Sequence, residues 1–344
     1  VTTRAHDDLE ALGRPRWRGQ AGRLEVWYAT FTDAVTGTGG WVHLEVVAPT
    51  DGSAAHAHGW TALFPAGGSA PVLARFGPAP VGSPDARDGD GAWCRVGSAS
   101  ATRQGADGGW AEVGPGPSPG TVKVVGAAGA LEWELLLTDS GPPLFTFPRA
   151  VWERQLLPAA QIVPLPQARA SGTVRTSGQT LAVDGPGGLA RIYGHGNAQR
   201  WGWLHAHLDD GGVLEVVTAT ARRAVLRRVP PLALVQLRLP GERDWPANPV
   251  LAAPRFRTTL RADGFSVRGT AGGRRLQIEV DLDPTASVAL RYVDPDGATA
   301  TCTNSERATA TVLLRDPGGR ERRWRLDRTA HAEVGTRPAV AGSR

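Results

Sequence analysis

Three of the chain's 8 histidines and two of its 12 tryptophans fall in Ile192–Leu208, I-Y-G-H-G-N-A-Q-R-W-G-W-L-H-A-H-L. From Trp201 on, residue types alternate. Trp201, Trp203, His205 and His207 share one face, and Gly202, Leu204, Ala206 and Leu208 share the other. Period-two alternation predicts a strand. The small apolar face suits packing, and the ring-bearing face suits the lining of a ligand pocket. His205 is the residue on which acid–base chemistry would centre. Burial between indoles would disfavour the imidazolium and leave a neutral ring with one donor and one acceptor. Such a ring could orient a substrate carbonyl, or relay a proton with Asp209 or with His195 if the loop folds back. The alternation fits equally a hairpin whose aromatics fill a core, with His205 bonded to a backbone carbonyl.

Other residues carry weaker signals. In W-V-H-L-E-V-V, Trp41, His43 and Glu45 share a face that could line a barrel or meet solvent. His56-Ala57-His58, read as a loop before Gly59–Phe64, has two histidines at a spacing that could share a metal. No third ligand, Cys pair or H-E-x-x-H accompanies it, so no metal is expected, and no cofactor. Glu132 and Glu134 share one strand face, as an acid/base pair or as a solvated surface. No G-x-S-x-G supports a hydrolase. Cys94 and Cys302 are too few for a disulfide scaffold.

The elements that must position these residues read as strands. The 44 glycines and 27 prolines fall between short apolar runs, the pattern of many strands and turns. Clear strands include Leu24–Phe31, Trp41–Val47, Thr121–Val125, Ala130–Thr138 and the return strand Val213–Thr218. Asp209-Asp210-Gly211-Gly212 turns the chain before that return strand. From Leu232 on, strands alternate with turns such as Asp294-Pro295-Asp296-Gly297. Helix is expected only near Asp7–Leu12 and Val151–Pro166, the second cut short by Pro158, Pro164 and Pro166. The expected fold is all-β, with two antiparallel units at 20–212 and 213–338, joined near Gly211–Arg228, and flexible ends at 1–19 and 339–344.

The net charge of +5 is carried by arginines scattered among acids, with Lys123 the sole lysine. That is not the stripe of a nucleic-acid binder. No run approaches the ~18 apolar residues of a membrane helix. The first ten residues hold no apolar signal region, so a reduced, cytoplasmic protein is expected.

Gly194-His195-Gly196-Asn197, followed by Trp201-x-Trp203-x-His205-Ala206 and Asp209-Asp210-Gly211, resembles the AttH-like and carotenoid 1,2-hydratase (hydroxyneurosporene synthase) family. That group includes the lipocalin-like pericyclases of decalin polyketide pathways. Glu25-Val26-Trp27-Tyr28 with Trp41–Val47 resembles its opening strands, and Asn304-Ser305-Glu306 with Asp294-Pro295-Asp296-Gly297 a bacterial branch. The resemblance implies tandem lipocalin-like barrels with a hydrophobic pocket at or near their junction, taking isoprenoids or polyketides. It implies ligand contacts from Trp201, Trp203, Tyr193, Trp27, Trp41 and Glu45, and chemistry from His205, His195 and Asn197. Hydratase or cyclase chemistry is one reading, in which Trp201 and Trp203 stabilise a cation or His205 and Asn197 bond a carbonyl. A carrier of a lipophilic molecule, without catalysis, is the other.

Overall fold

A computed structural model describes residues 2–81, 91–98, 108–138, 141–154, 159–222 and 230–338. The chain divides into two compact units, Val1–Phe145 with Ala150–Gly196, and Thr146–Arg149 with Asn197–Arg344. The first holds α1 (Thr2–Gly13), β1 (Arg23–Thr32), β2 (Gly39–Ala48), β3 (His56–Phe64), β4 (Val72–Pro80), β5 (Cys94–Val96), β6 (Trp110–Pro115), β7 (Thr121–Ala128), β8 (Leu131–Thr138) and β9 (Leu144–Phe145). After α2 (Arg149–Glu153) come β10 (Ala159–Arg175) and β11 (Thr180–Gly194). The second holds β12 (Arg200–His207), β13 (Val213–Thr220), β14 (Leu232–Arg238), α3 (Pro249–Ala252), β15 (Phe256–Leu260), β16 (Gly264–Ala271), β17 (Arg274–Asp281), β18 (Val288–Val293), β19 (Thr299–Arg315) and β20 (Glu321–Thr336).

Each unit is one antiparallel sheet curled into a nearly closed, lipocalin-like barrel. The first runs β4-β3-β2-β1-β11-β10-β8-β7-β6-β5, and its end strands approach each other. The second runs β14-β13-β12-β20-β19-β17-β16-β15, with β14 beside β15. In both, the first strand pairs with the last: β1 with β11, and β12 with β20. The two sheets thus share a strand order. Closure of this kind removes most of the bare edge of an open sheet.

β12 pairs with β13 and β20, so it belongs to the second unit. The division therefore follows Gly196, not residue 212 as expected from the sequence. The expected junction near Gly211–Arg228 runs partly outside the described residues, and the end 339–344 lies wholly outside them. His56–His58 is strand, not loop: it opens β3 and pairs with Val47–Glu45 of β2. Helix at Val151–Pro166 shrinks to α2, and the prolines Pro164 and Pro166 sit at register shifts of β10, where a missing N–H costs the ladder nothing.

The segment before Gln20 is tied down rather than loose. Leu9, Leu12 and Trp17 are buried. Arg191, on β11, explains why: its Nη1 donates to the carbonyls of Leu12 at 2.7 Å and Gly13 at 2.5 Å, capping the C-terminus of α1. The same guanidinium pairs with Glu25 and lies 4.0 Å over the Trp27 ring. Glu25 also accepts from the backbone amides of Arg16 and Trp17 at 2.8 and 2.9 Å. Burial lowers Arg191 to about 10, which leaves it charged at neutral pH.

The core of the second unit is an apolar cluster that includes Leu204, Ala206, Leu214, Val216, Val235, Phe265, Ile278, Ala310, Leu326 and Ala332. Gly202 belongs to that face because a Cβ there would lie 2.8 Å from the Phe265 ring. Gly211, at φ 80°, lets the β12–β13 turn close, with Leu208 N–H donating to Gly212 O at 2.8 Å. No helix among the described residues is long and apolar enough to cross a membrane.

Candidate functional site

The face of the second sheet opposite its apolar cluster carries the polar residues. Cross-strand register aligns Gln236 of β14, Glu215 of β13, His205 of β12 and His331 of β20 in one transverse row. Glu306 of β19 extends it by contacting His331 Nδ1 through its Oε2. It lies where β19 shifts register between Ser305 and Ala308, an irregularity of the kind that re-aims a side chain. All five side chains are buried.

His205 Nδ1 lies 2.8 Å from Glu215 Oε2, and Trp203 Nε1 donates to Glu215 Oε1 at 2.6 Å. Burial first, and His331 second, lower His205 to about 3, so its ring is neutral at physiological pH. A neutral ring that donates from Nδ1 to a carboxylate must accept at Nε2. His207 Nε2 lies 3.3 Å from that atom and is therefore the donor. Glu215, His205 and His207 form a file from a fully buried carboxylate to a half-buried imidazole. The His205 ring also meets the His331 ring edge-on, with centroids 6.1 Å apart.

A second indole holds a second carboxylate. Trp201 Nε1 donates to Glu333 Oε1 at 2.8 Å, and Cys302 Sγ lies 3.5 Å from Glu333 Oε2. Burial drives the Cys302 thiol well above its usual range, which makes it inert as a nucleophile. Trp201 and Trp203 are buried on the face expected from the alternation, at 8% and 5% exposure. Their N–H groups position carboxylates.

The other residues singled out in the sequence lie elsewhere. His195 belongs to the first unit, where its Nδ1 lies 2.9 Å from Gly22 O and its Nε2 lies 2.9 Å from Arg23 Nη1. Burial and Arg23 lower its pKa. Asn197 donates from Nδ2 and from its backbone to Asp294 Oδ1 at 2.8 and 2.9 Å, which fixes the entry to β12. Asp209 is exposed in the turn. Neither His195 nor Asp209 is among the hydrogen-bond partners of His205; Glu215 and His207 take those places. Tyr193 Oη accepts from Arg23 Nε at 3.0 Å. Trp27 lies on the opposite face of its sheet from Trp41 and Glu45, because it pairs with Leu44. Its indole donates to Gly13 O at 2.8 Å, within the Arg191 cluster. Glu45 Oε2 lies 3.0 Å from His43 Nε2. Glu132 and Glu134 are exposed, and Glu132 pairs with Arg175 at the surface.

Glu215, His207, His331, Glu306 and Glu333 were not assigned roles from the sequence. A hairpin signal was present for Glu215, since the Asp209–Gly212 turn sets it opposite His205. An open depression of about 650 Å³ lies in the second unit among Glu242–Asn248, Leu251, Ala252, Arg255, Ala271, Gly272 and Arg274. It shares no residue with the row, whose convergent polar groups make it the better candidate for chemistry. Among the described residues no three His, Cys, Asp or Glu side chains are placed to hold a metal ion.

Two Mycobacterium tuberculosis proteins, from two strains and both uncharacterised, are 45% identical to this chain over 336 residues, covering 97% of it and 93% of theirs. Among solved structures, the chain is similar to an AttH protein of Nitrosomonas europaea at 16% identity and TM-score 0.56, covering 91% of this chain and 92% of that one. It is similar to CghA, solved with Sch210972, at 14% identity and TM-score 0.59, covering 92% and 88%. Kievitone hydratase of Nectria haematococca follows at 8% identity and TM-score 0.55, covering 96% and 92%. These likenesses are of fold. The family model described as tocopherol cyclase-like matches residues 142–336, and with relatives that align over nearly its whole length, the chain belongs to the tocopherol cyclase-like family.

Proposed function

We propose that the protein is a hydratase- or cyclase-type enzyme that adds an O–H group across a carbon–carbon double bond of a hydrophobic isoprenoid or polyketide. In a hydration the O–H belongs to water; in a ring closure it is the substrate's own hydroxyl. The two reactions share one proton inventory: the oxygen loses a proton as the C–O bond forms, and the second alkene carbon gains one. No oxidant or reductant is needed.

The observation that carries this reading is the Glu215–His205–His207 file. His207, the least buried of the three, is the group that meets the substrate hydroxyl or water as general base. Its positive charge is then stabilised through His205 by the Glu215 carboxylate until the proton passes to the second alkene carbon, which returns His207 to its neutral form. Trp203 and Gln236 flank that carboxylate, the first as a hydrogen-bond donor and the second as its neighbour in the ladder. The fold shared with kievitone hydratase, and the cyclase-like family, support O–H addition. Cys94 and Cys302 are free and buried, which fits a reducing, cytoplasmic location.

The test is incubation with a panel of polyprenyl and polyene hydroxy compounds in ¹⁸O-water. Hydration gives a product two hydrogens and one labelled oxygen heavier; ring closure gives an unlabelled isomer of changed retention. Either product should vanish with His207→Gln. Compounds that bind and return unchanged would make the protein a carrier instead.

A further inference from the structure

The open depression of the second unit is a cavity that O–H addition does not use. Trp245, its buried indole, is fixed from several directions. Its backbone exchanges two hydrogen bonds with Leu237 of β14, at 2.7 and 2.8 Å. Its Nε1 donates to Ala271 O at 3.0 Å, and its ring meets Phe256 edge-on at 6.0 Å. Gln236 Nε2 donates to Pro246 O at 3.1 Å. The depression is thus preformed, and about 650 Å³ suits a small molecule.

Its charges do not balance. Glu242 accepts from Arg322 Nη1 at 2.6 Å and from Arg274 Nη2 at 2.7 Å, and both arginines also pair with Asp316. Asp244 accepts from Arg238 Nε and Nη2, each at 2.8 Å. Every carboxylate on the lining is therefore held by arginine. Arg243 and Arg255 also line the depression, are exposed, and are in no ion pair among the described residues. Arg255 Nη1 donates to Leu251 O at 2.6 Å, which takes one of its five N–H donors.

Between these cations the lining is apolar. Asn248 and Pro249 open α3, with Asn248 Oδ1 accepting from Leu251 N at 3.1 Å. The turn so fixed leaves Leu251 68% exposed on the lining, together with Pro246, Ala247 and Ala252.

We propose that this depression binds an alkyl phosphate monoester, its chain on the Leu251 stretch and its head on Arg243 and Arg255. A phosphate monoester carries about −1.5 to −2 charges at neutral pH, which answers two uncompensated guanidinium groups. The planar arginine fork matches phosphate oxygens. A carboxylate would answer only one. The site shares no residue with the Glu215–His205–His207 file and does not rest on the acid–base reading.

Isothermal titration of the full chain at pH 7.5 with octyl phosphate, octanoate and inorganic phosphate tests this. Octyl phosphate should bind saturably, about ten-fold tighter than octanoate for the second charged pairing. It should bind about a hundred-fold tighter than inorganic phosphate, which has no chain to bury. Arg243→Gln and Arg255→Gln should each weaken octyl phosphate about ten-fold. Arg291→Gln, at an exposed arginine of β18 outside the lining, should change nothing. No saturable binding, octanoate as tight as octyl phosphate, undiminished binding by Arg243→Gln, or an equal loss with Arg291→Gln would overturn the proposal. Should Arg255→Gln disturb α3 through its lost bond to Leu251 O, Arg243→Gln decides alone.

Discussion

His205 and Glu215 face each other across one rung of the β12–β13 ladder, Nδ1 to Oε2 at 2.8 Å, with both side chains buried. That rung fixes the tautomer of His205, and through it the direction in which His207 donates. Glu215→Gln should expose this dependence. The amide oxygen can still accept from Trp203, but an amide N–H₂ facing Nδ1 demands the other tautomer and reverses the file. We expect turnover to fall by roughly 10²–10⁴-fold, while the urea midpoint shifts little. An equal loss of stability and activity would mark Glu215 as structural.

Acid should destabilise the fold earlier than carboxylate titration requires. Burial lowers His205 to about 3 and His58 to about 4, both below the ordinary 6.5, so the unfolded chain binds protons that the native one refuses. Their contribution is whole above pH 6.5 and is lost as pH falls toward those values. Each should withdraw on the order of 1 kcal/mol per pH unit across that window. Melting temperatures at pH 7.5, 6 and 5 check this, and His205→Phe should flatten the slope.

Removing one member of the Arg191–Glu25 pair leaves the other buried and charged. Arg191→Met should cost about 3–5 kcal/mol in urea unfolding. Adding Glu25→Gln should recover part of that loss, because the amide oxygen still accepts from the amides of Arg16 and Trp17. No recovery would mean that capping of α1, not the ion pair, dominates.

Gly335 lies under Trp201, where a Cβ would fall 1.9 Å from the indole ring. Gly335→Ala should displace that ring and break its hydrogen bond to Glu333, at a cost of about 1–3 kcal/mol. Near-ultraviolet circular dichroism should lose intensity. An unchanged spectrum would show that the backbone of β20 gives way instead.

Much of the fold was legible. Alternation in Trp201–His207 gave strand, face and burial, and Gly-rich turns separated the strands of the second unit. What failed was closure. Nothing local says that β12 pairs with β20, so the boundary was set in the turn after β12, between the two strands of its hairpin. The same blindness hid His331 and Glu306, which reach His205 only through that pairing. His195 sits close to Trp201 in sequence but belongs to the first unit, and Asn197, in the second, is taken up by Asp294 at the entry to β12. Trp27 shares a strand with Tyr28 and so faces the other way, into the Arg191 cluster rather than toward Trp41.

The pairing of first strand with last has a consequence for synthesis. β1 leaves the ribosome early and finds β2 at once, but its other neighbour, β11, is the final strand of that barrel to be made. Until Gly194 has emerged, the nascent barrel holds an open seam along β1. A chain that stalls before β11 presents that seam to any other strand, whereas a chain that stalls just after it carries one barrel able to close before the second is begun.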